Sequence, residues 1–373
     1  MCPALGFDYI IPYPMMPGGD GVKKMTPRER VLAALHKQPT DQVPFTIYES
    51  KIPQCAVERQ LRDEGLCIVQ RRVPAVASSD PGCDWREFWY TENGRRRVRV
   101  EIQTPAGMVS YVNEPAAFTS WTIEHMFKGP DDYRALRAMT EAIRYRPDYE
   151  AYAAAEKWMG DDMILRGNVG GQPLHTIMIH WMGVEVFAVE WMERRDEILK
   201  LVEAMNRKLR EVFPLVAAAP ITHANFGGNE VPEVMGPPRY REFCLPLIRE
   251  CAEHFRRHGK LLGSHMDGNN KPWAADLADS GLDYIEAFTP SPDTDLTLAE
   301  ALAAWPDKVL WINFPSSVHL ASLDTIRRTT RELIEAARGT HRLILGITED
   351  IPEDRWQGNL LAISDVIREM GPV

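Results

Sequence analysis

No CxxC pair, no long apolar run and no basic surplus occur in this 373-residue chain. Each absence removes a class of protein. The six cysteines (Cys2, Cys55, Cys67, Cys83, Cys244 and Cys251) are scattered. They outline neither a disulfide framework nor a cysteine-rich zinc site, so the reducing cytoplasm is the expected compartment. Cys244 and Cys251 lie one heptad apart on an expected helix and read as core thiols. Nothing approaches the roughly 20 apolar residues of a membrane span, and the N-terminus lacks the basic start and apolar run of a signal peptide. A formal net charge of −10 argues against a nucleic-acid surface. The one dense basic run, Arg95-Arg96-Arg97 with Arg99, falls in an alternating stretch and reads as a solvated strand face. GxxxxGK, strand-borne GxGxxG, HExxH and GxSxG are missing too, which argues against the nucleotide, zinc-protease and serine-hydrolase chemistries they carry.

What is present is a rhythm. Residues 1–25 are rich in Pro, Gly and Met and read as an irregular arm. Thr26-Pro27-Arg28-Glu29 is a capping box with proline at the first helical position, so a helix opens there. Short apolar runs follow: VPFTIYE, LCIVQRRV, MILRGNV, LVAAAPITHANFG, KLLGSHMDG, DYIEAF, VLWINF and RLILGIT. Helical patterns separate them from about residue 130 onward. Eight strand candidates alternating with helices predict a parallel sheet closed into an α/β (β/α)8 TIM barrel, one domain over 26–373. The stretch 85–113 differs. It alternates, carries Asn93-Gly94 as a hairpin turn signal, and predicts a small antiparallel insertion.

In such barrels reactive groups collect at the C-terminal ends of the strands. The residues there are Glu49, Asn168, Asn225, Glu230, His265, Asp267, Glu286, Asn313 and Glu349. His265-Met266-Asp267-Gly268 is the sharpest pattern. With Glu349 from the last strand it supplies one imidazole and two carboxylates, a set able to hold zinc with a position left open. On the residues alone, a hydrogen-bonded His/Asp pair without metal is the simpler reading. His175, His180 and His223 read as packed core histidines, and His254 and His258 as solvent-facing. Met178, Trp181, Met182, Trp191 and Met192 have helix spacing and read as core, with Trp181 the candidate for an apolar pocket wall.

Several segments, in shared order, resemble the uroporphyrinogen-decarboxylase superfamily. They are Thr26–Leu35 with Asp41-Gln42-Val43-Pro44, Thr104-Pro105-Ala106-Gly107, Trp121 with Lys128–Tyr133, and Pro237–Pro246. His265–Asn269 stands where the corrinoid-methyltransferase branch carries its HxCGN zinc motif, and Thr348–Pro352 where that branch carries GCGxP. Two departures matter. Tyr48–Pro53 holds no arginine pair, so a tetrapyrrole with many carboxylates fits poorly. Asp267 and Glu349 replace both zinc cysteines, and carboxylates are harder ligands than thiolates.

The resemblance implies a methyltransferase of the O-demethylase kind. A methoxylated, aromatic substrate would pass its methyl group to the Co(I) corrinoid of a partner protein, since the chain has no DxHxxG segment to grip a corrinoid itself. His265, Asp267 and Glu349 would hold zinc. Glu230, Asn225 or Glu49 would orient the ring or supply a proton, and Asn168, Trp181, Glu286 and Asn313 would contact the substrate. A homodimer is a further expectation. The alternatives are a betaine or methylamine:corrinoid methyltransferase, a uroporphyrinogen-decarboxylase-like decarboxylase, and a non-catalytic binding barrel.

Overall fold

The first helix forms as its cap requires. Thr26 Oγ1 accepts the Glu29 amide at 3.2 Å, the Glu29 carboxylate accepts the Thr26 amide at 2.7 Å, and Pro27 sits at the first helical position. The computed structural model describes residues 24–116 and 119–372, so most of the expected arm at 1–25 lies outside the described residues.

Strands β1 (Phe45–Tyr48) and β2 (Leu66–Gln70) begin the barrel. An excursion follows: β3 (Val76–Ser79), β4 (Asp84–Glu92), β5 (Arg95–Thr104), β6 (Gly107–Pro115), β7 (Ser120–Glu124) and β8 (Arg144–Pro147). The barrel resumes with β9 (Met163–Leu165), β10 (Gly167–Gly170), β11 (His223–Phe226), β12 (Leu261–His265), β13 (Tyr284–Glu286), β14 (Val309–Asn313) and β15 (Leu343–Ile347). The main sheet runs β10-β11-β12-β13-β14-β15-β1-β2-β9, every pair parallel. β9 and β10 are two halves of the MILRGNV run, interrupted at Arg166. β9 pairs with β2 and β10 with β11, so the chain itself joins the two ends of the sheet. The ring is the expected TIM-like (β/α)8 barrel.

Two expectations need correction. LVAAAPITHANFG was expected to be strand throughout. Its first part instead continues the helix Arg195–Ala218, and only His223–Phe226 is strand. Leucine and alanine are strong helix formers, so an apolar run alone does not choose between the two. The insertion is also larger than 85–113. Turn residues Asn93 and Gly94 do take positive φ of 51° and 76°, as a tight hairpin requires. The sheet, however, has four strands, β4-β5-β6-β7, and reaches Glu124, while β3 and β8 form a separate pair. Among the described residues no helix is long and apolar enough to cross a membrane.

The barrel interior is filled by Tyr48, Tyr284 and Trp311, all fully buried. Glycines in two strands make room for them. A Cβ on Gly263 would lie 2.1 Å from the Tyr284 ring, and one on Gly346 would lie 3.2 Å from Trp311 Nε1 and 2.8 Å from the Ile312 carbonyl. Trp311 Nε1 donates to Thr46 Oγ1 at 2.8 Å, so the indole is buried with its polar atom satisfied. Cys244 and Cys251 are buried, as their helix spacing predicts. Above this plug the strand ends form the mouth.

Candidate active site at the barrel mouth

His265 is the last residue of β12, and Glu286 is its register partner on β13. The two side chains therefore stand side by side. His265 Nδ1 lies 3.1 Å from Glu286 Oε2 and 3.1 Å from the Tyr48 hydroxyl. Its other nitrogen, Nε2, lies 3.1 Å from Asp267 Oδ1. The turn through Met266 brings Asp267 round to that face. Burial disfavours charge on the imidazole, but the hydrogen bonds it donates to Asp267 and Glu286 outweigh it and hold the group up to about 10. The ring is thus positively charged at neutral pH when both carboxylates hold it.

Glu286 is fully buried. Burial alone would raise its carboxyl, yet Arg166 and His265 hold it well below the usual carboxylate range. Arg166 Nη1 hydrogen-bonds Glu286 and also reaches the Tyr48 hydroxyl at 3.2 Å. Asn225 Nδ2 donates to Glu286 at 2.5 Å, and Asn225 Oδ1 accepts from the Tyr284 hydroxyl at 2.7 Å. Arg166 is the residue sequence reasoning passed over. Its signal was there: a charged residue inside an apolar strand run needs a distant partner.

Glu286 and Asn313, expected to contact substrate, and Asn225, expected to orient the ring or supply a proton, are all buried, with other side chains or backbone of the chain as partners. Glu286 and Asn225 are sealed beneath His265 and position it. Asn313 is buried, accepts the Thr348 amide at 2.9 Å and donates to Thr289 at 3.2 Å, which ties the end of β14 to its neighbours. Glu49 is also committed. Its carboxylate pairs with Arg71 at 3.1 Å and Arg72 at 3.2 Å. The Arg71 guanidinium lies 3.5 Å above the centre of the Tyr48 ring. The lack of arginines in 48–53 thus does not leave the mouth without a guanidinium pair, because the end of β2 supplies one. Both of these guanidiniums already share the Glu49 carboxylate.

Glu230 differs from the other carboxylates. It is buried, with Oε2 accepting the Gly228 amide at 2.9 Å and Oε1 without a partner among the described residues. His175 Nδ1 stands 3.9 Å from Oε1, and burial holds that imidazole down to about 4, so it offers no charge. Burial pushes the Glu230 carboxyl up to about 7. Between the ordinary carboxyl value and 7 the folded chain keeps a proton that the unfolded chain has released. Stability must then fall as pH rises through that window. Glu230→Gln is expected to flatten this slope and to raise the unfolding free energy at pH 8 by up to about 3 kcal/mol, with little change at pH 4. Urea titrations at the two pH values check this. Equal effects at both would show that the carboxyl is charged throughout.

Glu349 stands exposed at the rim after β15. Desolvation by the barrel wall and the Asp267 charge raise its carboxyl, and His265 pulls it down, so it lies in the field of both. Two zinc ligands are roughly 3.3 Å apart when each is about 2 Å from the ion. His265 and Asp267 stand at nearly that spacing. Among the described residues, no three His, Cys, Asp or Glu side chains form a metal-spaced group, and Glu349 does not complete the set in this structure. In kind the donors suit a divalent ion. A ligating imidazole whose second nitrogen is held by a carboxylate is the usual supporting arrangement, and Glu286 supplies it.

A cavity of about 480 Å³ opens beside this cluster, within the range of small-molecule sites. Asn168 and Trp181, both expected to meet substrate, line it, together with Arg71, Arg72, Tyr145 and Lys208. It is separated from His265 by β11 and joined to it through Arg71 and Tyr48. A π-type helical turn, Thr176–Met182, carries Trp181 into the wall, while Met178 and Met182 are core and Met192 is exposed. His175 and His223 are buried as expected, whereas His180 is exposed.

Residues 119–370 match the family model for uroporphyrinogen decarboxylase (URO-D). No curated protein matches the sequence. Among solved structures, the chain is similar to a methyltransferase from Methanosarcina mazei, at 14% identity and a TM-score of 0.55, over 93% of this chain and 99% of that one. A D-psicose 3-epimerase from Clostridium cellulolyticum is more distant, at 9% identity and a TM-score of 0.32, over 59% of this chain and 81% of that one. The first likeness is one of fold.

Proposed function

The chain belongs to the uroporphyrinogen decarboxylase (URO-D) family, and from that premise we propose that it is a methyltransferase acting on a methoxylated aromatic, with the corrinoid of a partner protein as methyl acceptor. The observation that carries this is the His265–Asp267 pair at 3.1 Å, at the barrel mouth, with Glu286 fixing the opposite ring nitrogen. In the reaction the methyl–oxygen bond breaks, the methyl group passes to the Co(I) corrinoid, and the electron pair stays on the phenolic oxygen. That oxygen is a poor leaving group and needs charge stabilisation. Zinc on His265, Asp267 and Glu349 would supply it as a Lewis acid. Tyr48 and Glu286 keep the His265 ring oriented with Nε2 toward Asp267. Glu230, poised near neutral pH, provides the proton the product phenol needs.

The ether oxygen would sit at the mouth beside His265, and the cavity beyond β11, which none of His265, Asp267 and Glu349 lines, would take the far side of the ring. Arg71, Arg72 and Lys208 in its wall suit an anionic ring substituent. The same three cations repel a methylammonium group, which argues against a methylamine substrate. The arginine pair supports one second reading: decarboxylation of an aromatic or porphyrin-like acid, the chemistry named in the family's description. Carbon dioxide released from such an acid without any corrinoid protein would select it.

The test uses the purified chain, a reduced corrinoid protein and a panel of methoxyarenes. Free phenol should appear only when both proteins are present. Metal analysis should find about one zinc per chain, lost in His265→Ala and reduced in Glu349→Ala. Undiminished metal in both variants would remove the zinc site, and no phenol from any methoxyarene would remove the reaction.

A further inference from the structure

We infer that His175 and His180 carry protons from solvent to the sealed carboxyl of Glu230, with His180 as the entry and His175 as the residue that hands the proton on. Their use in turnover rests on the proposed role of Glu230 as proton source. In that role Glu230 gives a proton to the phenolic oxygen for each methyl group transferred, and it must regain one before the next turnover. Glu230 is 1% exposed, so solvent does not reach it directly. The proton has to pass through a neighbouring side chain.

Those neighbours come from several elements. The turn Pro173–His175 brings His175, whose Nδ1 is 3.9 Å from Glu230 Oε1. That is longer than a hydrogen bond, and such contacts tighten when substrate is bound. A second π-type turn, Tyr240–Cys244, brings Tyr240 and Cys244. Both are buried, and burial holds both protonated. His265 and Asp267 also act on Glu230, but they are engaged with each other at 3.1 Å. Gln172 closes the remaining side: a Cβ on Gly227 would lie 3.1 Å from Gln172 Cγ and 3.1 Å from Glu230 Oε2. His175 leads outward instead. Its ring lies edge to face with that of His180, centres 6.2 Å apart, and His180 is exposed.

Local structure makes this pair. In an α-helix, at 3.6 residues per turn, residues five apart point roughly 140° away from one another. Thr176–Met182 is a π turn, which bonds each residue to the fifth beyond it. His180 is the fifth residue after His175, so the wider turn returns it to the same face. His125, which faces His180 from the end of the insertion, steadies the turn with Nδ1 3.2 Å from the His180 carbonyl. Burial lowers both relay imidazoles, His175 to about 4, so a proton arriving there moves on to Glu230 rather than staying. A neutral imidazole accepts at one nitrogen and donates at the other, as a relay requires.

The test times the protonation of Glu230 in the full chain. Its readout is the infrared carbonyl stretch of the protonated carboxyl, identified as the band missing from Glu230→Gln. Rapid mixing from about pH 9 to about pH 5 crosses the Glu230 value of about 7. Wild type should be complete within the mixing time. His175→Phe keeps a ring in place without a nitrogen, and His180→Phe changes only an exposed side chain. Each should slow the step at least about tenfold, into the resolved range. Imidazole added to His175→Ala should bring protonation back within the mixing time, which a purely structural role would not allow. Substrate and corrinoid are absent from this measurement, so it stands apart from the phenol assay. A slowed His175→Phe without phenol from any methoxyarene would remove the reaction and keep the relay. Protonation as fast in either phenylalanine variant as in wild type would route the proton past Asp267 and overturn the relay. No rescue by imidazole, or no carboxyl band assignable to Glu230, would overturn it as well.

Discussion

Arg166→Met is expected to lower the unfolding free energy by about 3–5 kcal/mol. Arg166 and Glu286 are both buried, and their ion pair sits beneath the mouth. Desolvating two such charges costs several kcal/mol each, and their mutual attraction with surrounding hydrogen bonds offsets it. Methionine keeps most of the volume and removes the charge. Glu286 then keeps only His265, Asn225 and Tyr48 as partners. The net worth of the pair is smaller than the cost of breaking it. Arg166→Met/Glu286→Gln, which removes both charges and keeps the amide hydrogen bonds, should therefore recover more than half of the loss. Urea titrations followed by tryptophan fluorescence read both numbers. A double variant as unstable as the single would mean that arginine packing, rather than the stranded carboxylate, sets the cost.

On the proposed reaction, His265→Ala should reduce kcat/KM for methyl transfer by about 10²–10³, the loss typical of removing a group that stabilises charge developing in a transition state. The His265 side chain is held through both ring nitrogens. Tyr48, Glu286 and Asp267 all hold it. Asp267→Asn keeps a hydrogen-bonding oxygen near Nε2 but removes the charge, so its effect should be smaller and fall mainly on kcat. A position that merely shapes the pocket would instead raise KM and leave kcat alone. Steady-state kinetics with the reduced corrinoid protein at saturation distinguish the two patterns. Unchanged kcat in His265→Ala would move the chemistry away from β12, toward the cavity walled by Arg71, Arg72 and Trp181.

Most of the architecture was legible in the chain because its causes are local. The Thr26 capping box, the Asn93-Gly94 turn and the alternation of strand and helix each act within a few residues. The strand ends also identified the residues gathered at the mouth. Errors arose where a local signal is ambiguous. The alanines before His223 suit a helix as well as a strand, and the short strand β7 has no turn motif before it to mark it.

What the residues at the mouth do to one another was decided by tertiary structure alone. Arg166 meets Tyr48 and Glu286 across 118 and 120 residues, and Asn225 meets Glu286 across 61. No spacing rule reaches that far. Burial decided the rest. Glu286 and Glu230 are both carboxylates at strand ends, yet one is held charged by a buried guanidinium and the other is pushed toward neutrality for want of one. The sequence by itself determined that a barrel forms and which side chains reach its rim, because periodicity and turn chemistry are short-range. Only the closed ring decided which of them pair, which are sealed and which stay free, because desolvation and charge depend on neighbours that the chain order does not reveal.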